Sequence, residues 1–465
     1  MKLSFENLQG IGWKAKIAKL NIKSKIDLVS LYNLNKEKYP FLLESSSRGN
    51  SNNRFSILFH NPSIILEKKN EKKLFLESLD LLLKKEKISQ KEMNFKKKKI
   101  PFCGGWFVYL GYEMASEIEE KLEIPKSPFL LPTAFAARVK SAIIYDHIDH
   151  EIFFVSEDHS NQENDLISMQ DDLMKTLDTQ VKSNSSGKIK ILSKVSSKKH
   201  QDQVRKCIDY IYQGEIFQAN LSRLWKFKIS EKISELEIYK QLRNKNPAPF
   251  AGLMNYKKSS IISSSPERLV SVDGDLLQTR PIAGTRPRGR SGLIDIELSK
   301  ELINSKKEKA EHLMLLDLER NDISRVCIPG TVKVNEMMII ESYAHVHHIV
   351  SNIVGKKIKN ITPGKIISAV FPGGTITGCP KVRCMEILGD LEGVGRGPYT
   401  GSMGYITHSG DMDFNILIRS ILKENNNLFV RAGGGIVADS IPENETFETE
   451  AKANGMLKAI NTFTK

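Results

Sequence analysis

Two segments of this 465-residue sequence that have helical periodicity each carry two glutamates one turn apart. Glu308 and Glu311 form the first pair, and Glu445 and Glu448 form the second, which Lys452 follows four residues later. Side chains three or four residues apart share one face of a helix. Carboxylate oxygens on adjacent turns are suitable ligands for a hard cation such as Mg2+. Spacing alone nevertheless favours a solvated ion pair between Glu448 and Lys452, which stabilises a helix by only about 0.3–0.5 kcal/mol.

Two further side chains are of the types that transfer protons. Glu267 follows an apolar, strand-like segment, and burial beside such strands would raise the pKa of its carboxyl into the range of a general acid. The same carboxylate can instead form a surface ion pair with Arg268. His348 lies in another strand-like segment, where an imidazole either moves a proton at neutral pH or, more often, has a structural role.

Two glycine-containing segments could bring backbone N–H groups close to an anion. The loop 371–381 combines glycines and hydroxyls with Pro380 and leads into a predicted helix, whose N-terminus favours negative charge. Its spacing is not that of a P-loop. Glycine also permits close approach of the backbone to a ligand, and this applies to three consecutive residues: Gly433, Gly434 and Gly435.

These side chains must be positioned by strands and helices that the sequence also indicates. Asp273-Gly274 predicts the turn of a β-hairpin. The spacing of apolar residues predicts one long helix over Leu298–Leu318 and a terminal helix over 443–462. Strands and helices are mixed without a βαβ rhythm, so the sequence predicts an α+β fold.

A polar stretch divides the sequence into two regions. Residues 162–182 have a helical pattern, and Ser183–Gly187 resembles a linker. We therefore predict an N-terminal region over 1–160, a linker over 161–195 and a catalytic domain over 196–465.

Composition excludes several classes of protein. The formal charge of +14 comes mostly from lysines interspersed with glutamates, which indicates a solvated surface and not a nucleic-acid interface. Five cysteines without a C-x-x-C pair predict a reducing compartment without disulfides or a zinc site. No apolar run is long enough to span a bilayer. We expect a cytoplasmic protein that binds neither membranes nor nucleic acids.

Several segments together resemble the chorismate-utilising enzymes, a family that includes component I of anthranilate synthase and of aminodeoxychorismate synthase. The resemblance covers nearly the whole chain and is strongest over 200–465. It implies two interlocked α/β subdomains with facing β-sheets and the active site between them. The segments that carry it are Ser264-Ser265-Pro266-Glu267-Arg268, Pro281-Ile282-Ala283-Gly284-Thr285, Ala310-Glu311-His312-Leu313-Met314, Phe371–Lys381 and Gly433-Gly434-Gly435.

The resemblance also implies roles for individual residues. Glu311 and Glu448 match the Mg2+ ligands of the family, and Glu308 and Glu445 would coordinate the ion through water. The catalytic positions are Glu267, as general acid, together with His348, Thr375 and Gln218. The substrate-binding positions are Ala283, Gly284, Thr285, Tyr399, Arg419, Gly433, Gly434, Gly435 and Lys452.

Two positions bear on which reaction the chain catalyses. Isochorismate synthases carry a water-activating lysine where this chain has Gln218, so the resemblance favours amination over hydration. Many aminodeoxychorismate synthases carry a nucleophilic lysine where this chain has Ala283, and this residue alone favours anthranilate synthase. Longer segments resemble the aminodeoxychorismate branch, among them Gln218–Arg223 and Gly435–Ser440. We therefore predict aminodeoxychorismate synthase component I, with anthranilate synthase component I as the alternative.

The partners follow from that prediction. The substrates would be chorismate and ammonia, and the ammonia would come from a separate glutamine amidotransferase subunit, because this chain has no G-x-C-x-G nucleophile segment. A basic nucleic-acid-binding protein is the alternative from another class. Near the N-terminus, Leu43, Glu44 and Ser45 resemble an element that lines a tryptophan pocket in some members of the family, although a strand end with an exposed Glu44 would also fit.

Overall fold

A computed structural model of the chain describes residues 4–10, 13–21, 26–46, 54–68, 74–86, 94–95, 98–178, 187–289, 291–343 and 346–463. Within these ranges the strands form two large antiparallel sheets and one short pair. Strands and helices are numbered in chain order. Residues 183–186 of the predicted linker lie outside the described ranges.

The larger sheet has thirteen strands in the described part of the chain. In spatial order they are β1 (Ser4–Gly10), β2 (Trp13–Asn21), β11 (Glu151–Glu157), β10 (Ser141–Asp146), β4 (Phe55–His60), β3 (Phe41–Glu44), β14 (Phe250–Tyr256), β15 (Ser259–Ser265), β24 (Ser420–Glu424), β25 (Asn427–Ile436), β13 (Gln218–Ile229) and β12 (Ile189–Lys194), with β21 (Gly378–Cys379) also paired to β13.

The smaller sheet has ten strands over the same described ranges. In spatial order they are β18 (Ile282–Pro287), β20 (Val346–Lys356), β17 (Leu276–Arg280), β16 (Arg268–Asp273), β23 (Met412–Asn415), β22 (Ser402–Thr407), β8 (Gly105–Leu110), β9 (Ala134–Val139) and β5 (Ile64–Glu67), with β19 (Lys333–Ser342) also paired to β20. The short pair consists of β6 (Asn94–Phe95) and β7 (Lys98–Lys99).

The α-helices of the described residues are α1 (Val29–Leu34), α2 (Phe75–Lys85), α3 (Ala115–Ile118), α4 (Gln162–Asp178), α5 (Ser197–Tyr212), α6 (Glu235–Lys245), α7 (Gly292–Asn304), α8 (Lys306–Ser324), α9 (Pro363–Val370), α10 (Lys381–Glu392) and α11 (Pro442–Asn461). None of the helices in these ranges has the length and apolar character needed to cross a bilayer.

The two sheets face each other across an apolar core, as the sequence predicted. Phe41 of the larger sheet stacks on Phe107 of the smaller one, and Phe135 of the smaller sheet stacks on Tyr256 of the larger, each pair with ring centroids 4.1 Å apart. Such pairs add about 0.5–1.5 kcal/mol to the free energy gained from burial. Helices cover the outer faces, where α6 and α11 pack on the larger sheet and α2, α8 and α9 pack on the smaller.

Both sheets take strands from both sides of the proposed domain boundary. In the larger sheet β3 pairs with β14, and in the smaller sheet β8 pairs with β22. Hydrogen bonds within the two sheets therefore join residues 1–160 to residues 196–465. The division of the chain into 1–160, 161–195 and 196–465 stays a prediction.

One predicted element is wrong, because Leu298–Leu318 is not a single helix. The chain breaks at Ser305, whose backbone is extended with φ −63° and ψ 116° and whose hydroxyl accepts the N–H of Glu308 at 3.3 Å. Serine caps the N-terminus of a helix in this way. A new helix, α8, therefore starts at Lys306, which places Glu308 and Glu311 in its first turns. The predicted terminal helix is confirmed as α11, and the Asp-Gly hairpin is confirmed by the pairing of β16 with β17.

Candidate active site

Glycines in the two sheets make room for the glutamates of α8 and α11. A Cβ atom on Gly284, in the smaller sheet, would lie 2.9 Å from Glu308 Oε2. A Cβ atom on Gly434, in the larger sheet, would lie 3.4 Å from Glu445 Oε2 and 3.5 Å from Glu448 Oε1. Carboxylates from the outer helices therefore reach the glycine strands of both sheets.

Glu311 shows that the four carboxylates belong to one site. Burial raises its pKa to about 7; Lys307, with Nζ 3.9 Å from Glu311 Oε1, opposes the rise, and the negative charges of the other three glutamates add to it. Those neighbours are Glu308, Glu448 and Glu445. Like charges close together favour the protonated form of one of them. The charges of the predicted metal positions on α8 and α11 therefore act on one another.

Glu445 has the same environment. Burial raises its pKa, the Ser440 hydroxyl donates to Oε1 at 2.7 Å and opposes the rise, and the charge of Glu448 adds to it. The second oxygen, Oε2, is buried and has no hydrogen-bond partner among the described residues. An unpartnered buried carboxylate oxygen is costly, and a bound cation would offset that cost.

These residues fit a magnesium ion. The donors are all carboxylate oxygens, and a divalent cation would offset the mutual repulsion that adds to the effect of burial on the pKa of Glu311 and Glu445. Glu311 and Glu448 come from different helices, as the predicted ligand pair requires. In the part of the chain that the structure describes, no three of the four glutamates bring their ligand atoms within 4.8 Å of one another.

A different acidic group meets that distance criterion. Asp146, Asp149 and Glu151 lie at the β10–β11 turn with their oxygens within 4.8 Å of each other. Arg54 pairs with Asp146 at 2.9 Å and with Asp149 at 2.8 Å, and Lys19 pairs with Glu151. We attribute a structural role to this group, which contains none of the predicted site residues and pairs with Arg54 and Lys19 at the β10–β11 turn.

The cationic side of the candidate site comes from Arg419 and Lys452. Lys452 Nζ lies 2.6 Å from Glu448 Oε1, and Arg419 Nη1 donates to the carbonyl of Lys452 at 2.5 Å. Arg419 has a left-handed backbone with φ 52°, which costs of order 1 kcal/mol in a residue other than glycine and is common at functional positions. Burial lowers the pKa of its guanidinium, and the neighbouring Tyr399 and Glu448 oppose the change.

The glycine segment of β25 lies against two of the predicted site residues. A Cβ atom on Gly433 would lie 2.8 Å from the Tyr399 hydroxyl, and one on Gly435 would lie 2.0 Å from Gln218 Nε2. Any larger residue at these two positions would displace Tyr399 or Gln218. With Glu445 and Glu448 beside Gly434, the segment connects the predicted catalytic, substrate-binding and metal positions.

Glu267 has the properties expected of a general acid at neutral pH. Its side chain is buried, and burial raises its pKa to about 7; the nearby Thr375 hydroxyl, the Ile282 N–H and the charge of Lys452 oppose the rise. Ile282 donates to Oε1 at 3.4 Å. A carboxyl with such a raised pKa can hold a proton near neutral pH. The electrostatic effect of Lys452 places Glu267 near the same site.

His348 is a buried imidazole with a defined tautomer. Nδ1 lies 3.1 Å from the carbonyl of Gly284, which only accepts, so Nδ1 carries the proton and Nε2 is the acceptor in the neutral ring. The Thr285 hydroxyl is also 3.1 Å from Nδ1. Burial lowers the pKa of His348 to about 4, with the Gly284 carbonyl opposing the change and the positive charge of Arg419 adding to it. The ring is therefore neutral at pH 7.

Ala283 lies beside these groups without an acidic or basic function. It is buried in β18 opposite Ile349, in the same segment as Gly284 and Thr285. Its methyl group offers no nucleophile, so residue 283 cannot form a covalent bond to a substrate.

The three residues of the predicted tryptophan pocket lie elsewhere, at the end of β3. Glu44 accepts from the Tyr239 hydroxyl at 2.6 Å and from Arg243 Nη1 at 2.9 Å, and Ser45 Oγ donates to the carbonyl of Pro249 at 3.2 Å. Leu43 packs against the core between the sheets. The alternative with an exposed Glu44 is wrong, since its side chain is only 9% exposed. Tryptophan binding itself stays a prediction.

Sequence reasoning missed Lys307 as a member of the site. Its charge acts on Glu311, Glu445 and Glu448 together, so it belongs to the electrostatics of both helices. The signal was available, because Lys307 precedes Glu311 by four residues, the same separation that joins Glu448 to Lys452.

Comparison with known proteins agrees with this architecture. Residues 39–458 match the family model described as chorismate binding enzyme. The chain is 37% identical over 452 residues to anthranilate synthase component 1 of Acetivibrio thermocellus, covering 90% of each chain. It is 39% identical over 367 residues to aminodeoxychorismate synthase component 1 of Bacillus subtilis, covering 77% of each.

A solved structure extends the likeness to the fold. Anthranilate synthase component I from Streptococcus pneumoniae superposes with a TM-score of 0.75 at 29% identity, covering 94% of this chain and 95% of that one. The family match includes the smaller sheet, all of the larger sheet except β1 and β2, and every predicted catalytic residue, among them Gln218, His348 and Thr375. The chain therefore belongs to the family of chorismate binding enzymes.

Proposed function

We propose that this protein is component I of an aminodeoxychorismate synthase, which converts chorismate to 4-amino-4-deoxychorismate on the route to 4-aminobenzoate and folate. The observation that carries the proposal is the convergence of four glutamates, from α8 and α11, beside Arg419 and Lys452. A small doubly negative substrate needs both a metal and protein cations, and here the proposed metal ligands lie beside cationic side chains.

Four glutamates would hold a Mg2+ ion in this protein. Glu311 and Glu448 would coordinate it directly, and Glu308 and Glu445 would act through water. When bound, the ion would neutralise the ring carboxylate of chorismate.

The second carboxylate, on the enolpyruvyl arm, would meet Arg419, Lys452 and the Tyr399 hydroxyl. A guanidinium binds a carboxylate with two parallel hydrogen bonds, whereas an ammonium acts as a point charge. Arg419 is held by its hydrogen bond to the Lys452 carbonyl, which pre-organises it for this contact. The absence of side chains on Gly433, Gly434 and Gly435 would let the substrate approach the backbone of β25.

The proton transfers would involve Glu267 and His348. Glu267 would give its proton to the C4 hydroxyl as the C4–O bond breaks, so that the oxygen leaves as water. Ammonia brings the new nitrogen, and the ammonium group that forms would lose one proton to the neutral Nε2 of His348. Thr375, whose hydroxyl lies near Glu267, would help to position the substrate ring.

Two segments support amination at C4. Gln218–Arg223 and Gly435–Ser440 resemble the aminodeoxychorismate branch, and the structure brings Gln218 and Gly435 into contact. Gln218 has no basic group that could activate water, which disfavours hydration of the ring. The relatives do not decide between the two aminating enzymes, because both names occur at 37–39% identity.

Anthranilate synthase component I is the second candidate, and Ala283 favours it. In that reaction ammonia attacks C2, the C4 hydroxyl leaves and pyruvate is then eliminated. No residue at position 283 takes part, which agrees with the buried methyl group observed there. Under either assignment we propose a separate glutamine amidotransferase subunit as the source of ammonia, as the name component 1 of the relatives suggests.

The product assay separates the two candidates. The purified chain is incubated with chorismate, Mg2+ and an ammonium salt, and the products are separated by chromatography. A product that yields 4-aminobenzoate only after aminodeoxychorismate lyase is added supports our proposal. Fluorescent anthranilate formed without any lyase would overturn it in favour of the second candidate.

A further inference from the structure

Two buried carboxyl groups, those of Glu319 and Asp322, lie near Glu267 and have no part in the proposed reaction. Glu319 and Asp322 both belong to α8 and are buried beneath the smaller sheet. The Thr279 hydroxyl donates to Glu319 Oε2. Burial raises the pKa of Glu319, with the Thr279 hydrogen bond opposing the rise and the charge of Glu267 adding to it, so burial favours the protonated form of this carboxyl. Burying a carboxyl group is costly, and a position used only for packing would favour an apolar side chain.

A small cavity separates Glu319 and Asp322 from the loop that contacts Glu267. Its volume is about 10 Å³, close to that needed for one water molecule. The loop residues that line it are Gly373 and Gly374, and Gly374 directly precedes Thr375. A Cβ atom on Gly374 would lie 2.6 Å from Leu318 Cδ2, so the loop rests directly on α8. The complete lining is Leu269, Thr279, Glu319, Asp322, Ile323, Val370, Gly373 and Gly374.

The outer end of this arrangement reaches the protein surface. Asp322 accepts from Lys381 Nζ at 2.5 Å and from Arg325 Nη2 at 3.3 Å. The Arg325 side chain is half exposed, and that of Lys381 is mostly covered. The charged groups that act on Glu319 are therefore Glu267 on the substrate side, and Asp322 and Lys381 on the solvent side.

A general acid must regain its proton after every turnover. Glu267 is buried, and bound substrate would cover it further, so direct exchange with solvent would be slow. The Thr375 hydroxyl lies near Glu267, and its chain neighbour Gly374 lines the cavity that Glu319 and Asp322 also line. Proton transfer along such a series needs only small rotations of hydroxyl groups and one water molecule.

We infer that Glu319 and Asp322 form a proton-return path for Glu267. After Glu267 has protonated the leaving hydroxyl, Glu319 transfers its carboxylic proton through the cavity to the Glu267 carboxylate. Glu319 then takes a proton from solvent by way of Asp322, so that each turnover moves one proton inwards and changes no other bond. Glu319 thus acts on the reaction only through Glu267, as a positioning residue, and does not touch the substrate. The inference rests on the proposed role of Glu267 as the general acid.

The test compares the first turnover with those that follow. Glu319→Gln keeps the volume and the contact with Thr279 but carries no transferable proton, and Asp317→Asn on the exposed face of α8 is the matched control. Chorismate consumption is followed by stopped flow with Mg2+ and excess ammonium. We expect Glu319→Gln to complete the first turnover at the rate of the native protein and then to slow about tenfold, more strongly at pH 8 than at pH 6. Asp317→Asn should show no such burst.

Two results would overturn the inference: a first turnover slowed as much as the later ones, or a steady rate equal to that of the native protein at both pH values. Because Glu319→Gln could fail to fold, Asp322→Asn, which removes the solvent-side carrier of the path, is measured in parallel and should give the same burst; a folded Asp322→Asn protein without the burst counts against the path. Both candidate reactions expel the C4 hydroxyl, so chorismate consumption is independent of which product forms. If the proposed product is wrong, the product assay on the native protein will show it. If the proton-return path is wrong, only the kinetics of the variants will show it.

Discussion

Two acidic groups in this protein differ in a way that distinguishes a binding site from a structural cluster. At the β10–β11 turn, Asp146, Asp149 and Glu151 lie within 4.8 Å of each other, but Arg54 and Lys19 pair with them. Between α8 and α11 the glutamates are less tightly grouped. Burial raises the pKa of Glu311 there, and the charges of the other three glutamates add to the rise. Both groups pair with protein cations, as Glu448 does with Lys452, so what separates them is that the glutamates come from two helices and lie beside Arg419.

The largest effect is expected from removing a carboxylate of the second group. Glu448→Gln deletes a proposed Mg2+ ligand but keeps the shape of the side chain, and we expect activity to fall by about a thousandfold. Asp149→Asn, in the turn group, should change activity by less than about twofold, because exposed ion pairs contribute little. Initial rates of chorismate consumption at saturating Mg2+ measure both. Equal losses in the two variants would remove the distinction between the groups.

The next effect concerns the buried acid that faces the substrate. Glu267 has a raised pKa of about 7, so its acid form predominates below pH 7 and is lost as the pH rises through that value. The kcat/KM of the native protein should fall over this interval. Glu267→Gln should lower kcat by about a hundredfold to ten-thousandfold at pH 6 and should abolish this pH dependence. A variant that keeps the same alkaline limb would show that another group is the acid.

A smaller effect is expected on the cationic side. Arg419→Lys keeps the charge but loses the two parallel hydrogen bonds, so the KM for chorismate should rise about tenfold with a smaller change in kcat. Arg205→Lys, at a half-exposed position on α5, is the control and should leave KM unchanged. An unchanged KM in Arg419→Lys would place the enolpyruvyl carboxylate elsewhere.

The smallest effect on activity is expected at β3, where Glu44 is bonded to Tyr239 and Arg243. Glu44→Gln should leave kcat unchanged and lower the free energy of unfolding by about 1.5–3 kcal/mol, since charged hydrogen bonds are lost. Urea denaturation measures the change. Titration with tryptophan tests the predicted pocket separately: tryptophan binding that disappears in Glu44→Gln would assign this segment a ligand as well as a structural role.

The sequence predicted the parts of the site that depend on local spacing. Glu445 and Glu448 share a face of α11 because the helical period alone requires it. Asp273-Gly274 closes a hairpin because few other dipeptides suit that turn. The family resemblance added the pairing of Glu311 with Glu448, which are far apart in the chain.

Other features depend on tertiary contacts and could not be read from spacing. The break at Ser305 arises because a serine cap competes with continuation of the helix, and apolar periodicity does not report that competition. The cavity beside Glu319 depends on how α8 packs on the loop at Gly374. Gly284 of β18 lies against Glu308 of α8, and no local sequence pattern predicts that this strand and this helix meet.

The most direct test of the central claim measures whether magnesium and chorismate bind together. Chorismate is titrated calorimetrically into the native protein and into Glu311→Gln, with and without Mg2+ and without ammonia, so that no amination occurs. The account predicts that Mg2+ strengthens chorismate binding to the native protein by about tenfold or more and that this coupling disappears in Glu311→Gln. An equal effect of Mg2+ on both proteins, or none on either, would contradict the claim that these glutamates hold the ion against the substrate.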